Sequence, residues 1–146
     1  MDIKDLNIDD FLNAVPDDYM GVNFRELCKE LVDELKKNDG ITIALPSKDA
    51  WRKYKQKWIT IKKKQPKGRR VNIGWIESRD KGFVVWTFNP EKRDYEKIIV
   101  SASQVTESKP IKIEDSIVEL VDFSVDKWNE LKKEILELFN RAYHSI

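Results

Sequence analysis

The chain has 146 residues, of which 40% are hydrophobic and 36% are charged, and its formal net charge is +1. This length predicts one domain, residues 1–146, with residues 1–22 as a candidate peripheral N-terminal extension. The single cysteine rules out an internal disulfide and is typical of a reducing cytosol. We find no signal-peptide pattern and no apolar stretch of 18 residues, so we expect a cytoplasmic protein without a membrane span.

Positive charge is concentrated in one part of the sequence. From Lys48 to Arg70 there are eleven Lys and Arg and one acid, whereas residues 1–40 hold eleven acids and five bases. Three aromatic residues are interleaved with these cations: Trp51, Tyr54 and Trp58. Cations at this density repel one another, so an anionic partner would stabilise them. The plainer interpretation is that the acidic helices pack beside this segment and neutralise it within the fold.

The N-terminal region predicts two helices. Residues 7–14 predict a short helix capped by Asn7, and Pro16 prevents its continuation. Residues 24–37 carry apolar side chains at helical spacing after Asn23, which predicts an amphipathic helix. Cys28 lies on its apolar stripe, so we expect a buried, unreactive thiol.

The middle of the chain alternates between strand and helix patterns. Residues 41–45 predict a strand, and residues 48–57 predict a short helix after Ser47. The spacing of Trp51, Tyr54 and Trp58 is compatible with the buried face of that helix, but the sequence leaves open whether Trp51 and Tyr54 are core or exposed. Residues 58–63 alternate as a strand, with Ile59 and Ile61 on one face.

Further strands follow a basic turn at residues 64–70, which is marked by Pro66 and Gly68. Residues 71–76 predict a strand with Val71, Ile73 and Trp75 on one face. Residues 78–82 predict a turn, 83–88 a central strand, and 96–100 and 117–123 further strands, with 111–113 as an additional candidate.

Residues 125–143, capped by Ser124, predict a long C-terminal helix whose inner face includes Trp128. The elements together predict an α+β fold: a mainly antiparallel sheet of about four to six strands, with one or two N-terminal helices and the C-terminal helix packed on it.

Three segments share a pattern with a known family. They are the leading helix that ends in a strand, the run WITIKKK…VNIGWIESRDKGFVVWTF, and the closing IVELVDFSVDKWNELKKEILELFNRAYHSI. From about Leu27 to Tyr143 this order resembles an uncharacterised family of small α+β domains that accompany nucleases and other defence-associated proteins. The resemblance implies an α+β fold and a nucleic-acid context. It carries no catalytic residues, because the family has no settled activity.

The residues offer little for catalysis. The only histidine, His144, lies three residues from the end, and there is no zinc, redox or glycine-rich phosphate motif. Asp94, Glu107 and Lys109 could form a metal-dependent nuclease triplet, but such triplets arise by chance in a chain with 26 acids and 27 bases. We therefore expect no catalytic residues, no metal, no cofactor and, on balance, no enzyme.

The basic segment predicts a sequence-tolerant nucleic-acid-binding protein, and DNA and RNA are both compatible with it. Trp58 lies on the less apolar face of its strand and is a candidate for stacking on an unpaired base. Trp75 and Trp128 are expected in the core, and Trp86 could lie on either face. The predicted phosphate contacts on the turn are Lys62, Lys63, Lys64, Lys67, Arg69 and Arg70, extended by Arg52, Lys53 and Lys55.

Two other interpretations fit the same pattern. The first is a protein-interaction module, an inhibitor or adaptor in a phage or defence system, that binds an acidic partner surface or self-associates head to tail. The second is a solvated, lysine-rich loop without a partner. The sequence indicates no particular oligomeric state.

Overall fold

A computed structural model describes residues 6–19, 21–54, 56–101, 112–114, 117–119 and 125–146. Side chains are described for all of these except 112–114, 117–119 and 125–127. The expected α+β fold is confirmed: a mainly antiparallel sheet carries N-terminal helices and a long C-terminal helix on one face.

The helices begin where the sequence offers caps. Helix α1 spans Ile8–Leu12 and α2 spans Phe24–Lys36, and the side chains of Asn7 and Asn23 accept the backbone N–H groups expected of N-caps. Helix α3 spans Lys48–Lys53 after the Ser47 cap, and α4 spans Val125–Ser145. The predicted Ser124 cap lies outside the described residues.

Five strands form an antiparallel meander in chain order: β1 (Ile41–Ala44), β2 (Trp58–Lys64), β3 (Arg70–Arg79), β4 (Gly82–Asn89) and β5 (Asp94–Ser101). Two short strands, β6 (Lys112–Glu114) and β7 (Ile117–Glu119), extend the sheet in the order β1-β2-β3-β4-β5-β7-β6. Strand β7 runs parallel to β5, and β6 antiparallel to β7. The predicted strand 117–123 is thus described only as far as Glu119.

One face of the sheet, the inner face, packs against the helices and forms the core. Phe83 of β4 lies edge-on to Trp128 of α4, with ring centroids 6.1 Å apart. Trp128 is buried, as predicted, and its indole N–H donates to Glu30 of α2. Phe11 and Val15 are fully buried in the same core, so the described part of residues 6–22 is integral to the domain rather than peripheral to it.

Strand β3 contains an extra residue that changes which side chains face the core. Ile61 pairs with Gly74 but Lys62 pairs with Asn72, so Ile73 is a β-bulge without a partner on β2. Ile73 and Gly74 consequently both face the helices. The prediction that Trp75 shares the face of Val71 and Ile73 is wrong, because the bulge moves Trp75 to the other, outer face.

The structure places Tyr54 on the surface, a point that the spacing of the aromatic residues left open. Helix α3 ends at Lys53, four residues earlier than predicted, and only Trp51 of the three aromatics is buried as a helix-face residue. Tyr54 has extended backbone angles and is 59% exposed. Trp58 belongs to β2 instead, because the helical spacing of the three rings spans a helix end.

Lys63 holds the end of α4 against the sheet. Its ammonium nitrogen donates to the main-chain oxygens of Tyr143 and Ile146, both at 2.6 Å, and lies 4.4 Å from the centroid of the Tyr143 ring. A cation at a helix C-terminus compensates the partial negative charge of the unpaired carbonyl groups there. Lys63 therefore acts as a C-terminal anchor for α4.

We expect Gly74→Ala to lower the free energy of unfolding by about 1–3 kcal/mol, since overpacking costs that much in a close-packed core. A Cβ at this position would collide with the carbonyl of Trp86 and with the ring of Phe139, which lies over the glycine. Urea denaturation followed by circular dichroism measures the change. Asn72→Ala, at an exposed position on the same strand, is the control and should stay within about 0.5 kcal/mol of the parent protein. Equal stability of the two variants would contradict this account.

Lys63→Met should lower the free energy of unfolding by about 1–2 kcal/mol, because two charge-assisted hydrogen bonds to the end of α4 are lost while the apolar stem is kept. Amide hydrogen exchange should accelerate in the last turn of α4. Lys64→Met, which removes an exposed neighbour on the other face, serves as the control for charge removal. If both variants exchange alike, Lys63 is not an anchor.

Candidate functional site

The turn between β2 and β3 is a tight one, built around Pro66 and Lys67. The carbonyl of Gln65 accepts the N–H of Gly68, and the N–H of Gln65 donates to the carbonyl of Arg69. Lys67 has φ 71° and ψ 19°, close to the second central position of a type II turn, where glycine is usual. The turn therefore projects a lysine side chain from a backbone position that glycine usually occupies.

Four cations at this turn are exposed, and we call them the hairpin cations: Lys64, Lys67, Arg69 and Arg70. Within the part of the chain that the structure describes, none of them forms an ion pair with an acid. The ion pairs that are present lie elsewhere and are mostly local, such as Arg25 with Asp17 or Arg79 with Glu77. The interpretation that acidic helices neutralise the turn thus finds no direct contact to support it among the described residues.

Strand alternation divides the three lysines at the end of β2. Lys62 pairs with Asn72 and Lys64 with Arg70, and all four lie on the outer face by register. Lys63 pairs with Val71 on the inner face and bonds the end of α4. We therefore leave Lys63 out of the candidate site, whereas Lys62 and Lys64 extend the hairpin cations along the outer face.

The remaining predicted cations lie at the opposite end of β2. Arg52 and Lys53 are exposed in the last turn of α3, and Arg52 is 3.6 Å from the carboxylate of Asp49. Lys55 lies outside the described residues. Seven residues of β2 separate α3 from the turn, roughly 20 Å of extended chain. The predicted basic segment therefore forms two basic regions joined by the outer face of β2.

Trp58 lies on this outer face, as predicted, but it is half-buried. The ring of Tyr54 packs edge-on against it, with centroids 5.6 Å apart. The main-chain carbonyl of Trp58 accepts the indole N–H of Trp51. Tyr54 is more exposed than Trp58. The accessible aromatic surface at this end of β2 therefore comes from Tyr54 and Trp58 together, and not from Trp58 alone.

The outer face also carries an aromatic row that the sequence pattern did not indicate. Trp75 and Trp86 are directly opposed on β3 and β4 and stack with centroids 5.1 Å apart and an interplanar angle of 18°. Tyr95 of β5 approaches Trp75 at 4.7 Å, and Phe88 lies 5.7 Å from Tyr95. All four rings are half-buried. Apolar residues on both faces of 83–88 were the available signal, but the bulge that opposes the two tryptophans is not visible in the sequence pattern.

The titratable residues do not assemble a catalytic arrangement in the described part of the chain. Cys28 is fully buried in α2, and burial raises the pKa of its thiol. His144 is exposed in the last turn of α4. No group of three or more His, Cys, Asp or Glu among the described residues is placed to hold a metal ion. Of the triplet Asp94, Glu107 and Lys109, the last two lie outside the described residues.

A cleft of about 340 Å³ lies between α2, β1 and α4, and its wall includes Glu34, Lys133 and Tyr143. A hydrogen bond from Lys37 lowers the pKa of the Glu34 carboxyl, and the two side chains form a surface ion pair. No helix in the described ranges has the length and apolar character to cross a membrane. The outer face and its hairpin cations remain the most distinctive surface.

Comparison of the chain with protein-family models, with curated proteins and with solved structures finds no match. The resemblance to nuclease-associated domains therefore stays a prediction. What the chain does has to be argued from the chemistry of its own surface.

Proposed function

We propose that this protein binds nucleic acid, without strong sequence preference, through the hairpin cations and the neighbouring Lys62. The observation that carries this proposal is that four exposed cations at one turn have no acidic partner within the described residues. Arg52 and Lys53 add a second, weaker basic region at the other end of β2. The proposal is for binding and includes no reaction.

The four cations at this turn, unpaired within the described residues, favour the binding of a polyanion. Cations that neutralise phosphates release condensed counterions, and this release is the main source of sequence-independent affinity. Exposed surface ion pairs within a protein contribute little, so leaving these four cations unpaired costs the fold little as well. Arg69 and Arg70 can each bind a phosphate with two parallel hydrogen bonds, whereas Lys64 and Lys67 act as point charges.

An acidic protein surface remains the alternative partner, because carboxylates can satisfy the same cations. The aromatic row beside them favours nucleic acid, since nucleobases offer flat π surfaces and an acidic protein surface does not. The two partners also differ in salt dependence. Counterion release from a polyanion gives a linear dependence of log K on log salt concentration, with a slope set by the number of phosphates contacted.

Reversing three hairpin cations, as Lys64→Glu, Lys67→Glu and Arg69→Glu together, should weaken binding to a labelled 20-nucleotide strand at low salt by at least about tenfold. The parent protein should show a slope of about −3 in log K against log salt, and the variant a slope smaller by about 2, at roughly 0.7 per phosphate of a single strand. Fluorescence anisotropy across a salt series measures both quantities.

The matched control reverses three exposed lysines on the helices, Lys29→Glu, Lys36→Glu and Lys133→Glu, and so changes the net charge equally. This control should keep most of the affinity and the slope of the parent protein. Equal losses in the two variants would show that only net charge matters. Absence of binding to any DNA or RNA strand or duplex at low salt would refute the proposed function.

Lys67→Gly should separate stability from binding. A left-handed backbone conformation costs a residue with a side chain about 1–2 kcal/mol, and glycine removes this cost. The greater freedom of glycine in the unfolded chain lowers the stability by about 0.5–1 kcal/mol. The free energy of unfolding should therefore rise by up to about 1.5 kcal/mol while affinity for nucleic acid falls. Lys67→Ala, which keeps the strain and loses the charge, should lose the same affinity without the gain in stability. Undiminished affinity in both variants would exclude Lys67 from the contact surface.

A further inference from the structure

We propose that the outer face of the sheet is a base-stacking platform that makes this protein selective for single-stranded nucleic acid. The platform consists of Trp75, Trp86 and Tyr95. This inference rests on the proposed function and names its substrate class. It uses an observation independent of the hairpin cations: a row of stacked, partly exposed rings on three adjacent strands.

Register brings the rings together. Trp75 and Trp86 form a directly opposed cross-strand pair, and their rings are nearly parallel at 18°. Tyr95 lies against Trp75 at 57°, and partial burial raises the pKa of its phenol, which is neutral at physiological pH even without that shift. Trp75 and Trp86 cover one face of each other, so what the strands present to a base is the remaining exposed part of these rings, held in place at low entropic cost.

Polar contacts fix the first ring in place. The indole N–H of Trp75 donates to the Glu77 carboxylate at 3.0 Å, and Glu77 is paired with Arg79 at 2.8 Å. The one carboxylate beside the rings on β3 is thereby neutralised, so it presents little repulsion to a phosphate. Trp75 is consequently oriented before any ligand arrives, as a preorganised platform requires.

Positive charge lies on two sides of the rings. Lys62, Lys64 and Arg70 share the outer face at the hairpin end. On the β5 side, the ammonium nitrogen of Lys97 lies 5.5 Å from the centroid of the Trp86 ring. Cations around an aromatic surface match a single strand, which carries bases and phosphates side by side. They disfavour a second copy of this chain, because two like-charged rims would be brought together.

The selectivity follows from what each form of nucleic acid exposes. In a duplex the bases stack on one another and present only their edges in the grooves. A duplex can therefore use the hairpin cations but not the rings. An unpaired strand can use both, and each stacked base contributes roughly 1–3 kcal/mol, equivalent to about five- to 150-fold in affinity.

The test compares a labelled single strand of 20 thymidines, a single strand of 20 uridines and a 20-base-pair duplex by fluorescence anisotropy at one low salt concentration. The full chain should bind the single strands at least about tenfold more tightly than the duplex, and binding should quench tryptophan fluorescence. In the double variant Trp75→Leu, Trp86→Leu the ratio of single-strand to duplex affinity should fall toward one. Trp75→Phe with Trp86→Phe keeps the rings and should retain most of the ratio.

Ile99→Ala is the matched control, because Ile99 is a half-buried apolar residue of the same face without a ring. It should leave the ratio near that of the parent protein. Circular dichroism and thermal melting establish that each variant is folded. If the leucine variant does not fold, the phenylalanine variant and the tryptophan quenching of the parent chain decide the question.

The outcomes separate the two proposals. If duplex and single strands bind equally and the hairpin reversal weakens both, the proposed function stands and the stacking platform is wrong. Absence of quenching at saturation with a single strand also overturns the platform. Absence of all binding overturns both proposals. If sedimentation shows a dimer that the leucine variant dissociates, the rings form a self-association surface and the platform is again wrong.

Discussion

The bulge at Ile73 is the constraint on which the arrangement of this surface depends. A strand alternates with a period of two, so one inserted residue moves every later side chain to the other face. Val71 before the bulge and the bulged Ile73 face the helices, and Gly74 and Ile76 after it do so too. The core therefore stays apolar along β3, while Arg70 and Trp75 come to share the outer face.

The same bulge explains what the sequence predicts well and what it does not. The helix α2, its Asn23 cap, the alternation of Ile59 and Ile61 and the burial of Trp128 all follow from local pattern, and the structure confirms them. The face of Trp75 depends on pairing with β2, which no local pattern records. Regular alternation consequently assigned Trp75 to the core and left Trp86 undecided.

The partners of the charged residues are also difficult to predict from the sequence. Residue type predicts a cation but not its partner, and the partner depends on which face the strand presents. Lys62, Lys63 and Lys64 are consecutive and identical in type, yet Lys63 bonds the end of α4 while its neighbours face outward. Stability therefore draws on Lys63, whereas the proposed recognition would use its neighbours Lys62 and Lys64. The exposure of the turn cations could be predicted, because a turn has no face that packs against the core.

The division of the sheet into two faces also separates the energetics of folding from those of recognition. The inner face is filled by fully buried side chains such as Ile76 and Phe83, whose truncation costs several kcal/mol. On the outer face, Trp75 and Trp86 are half-buried, and an aromatic pair contributes about 0.5–1.5 kcal/mol beyond its buried area. Substitutions among the outer rings should thus cost less stability than truncations on the inner face, so the proposed stacking platform can be tested while the helices keep the sheet folded. Of the five tryptophans, Trp51 and Trp128 are buried in the core, and Trp58 packs partly against it. The half-buried tryptophans Trp58, Trp75 and Trp86 all lie on the face that the hairpin cations border, and the proposed binding of a single strand depends on this combination of rings and cations on one face.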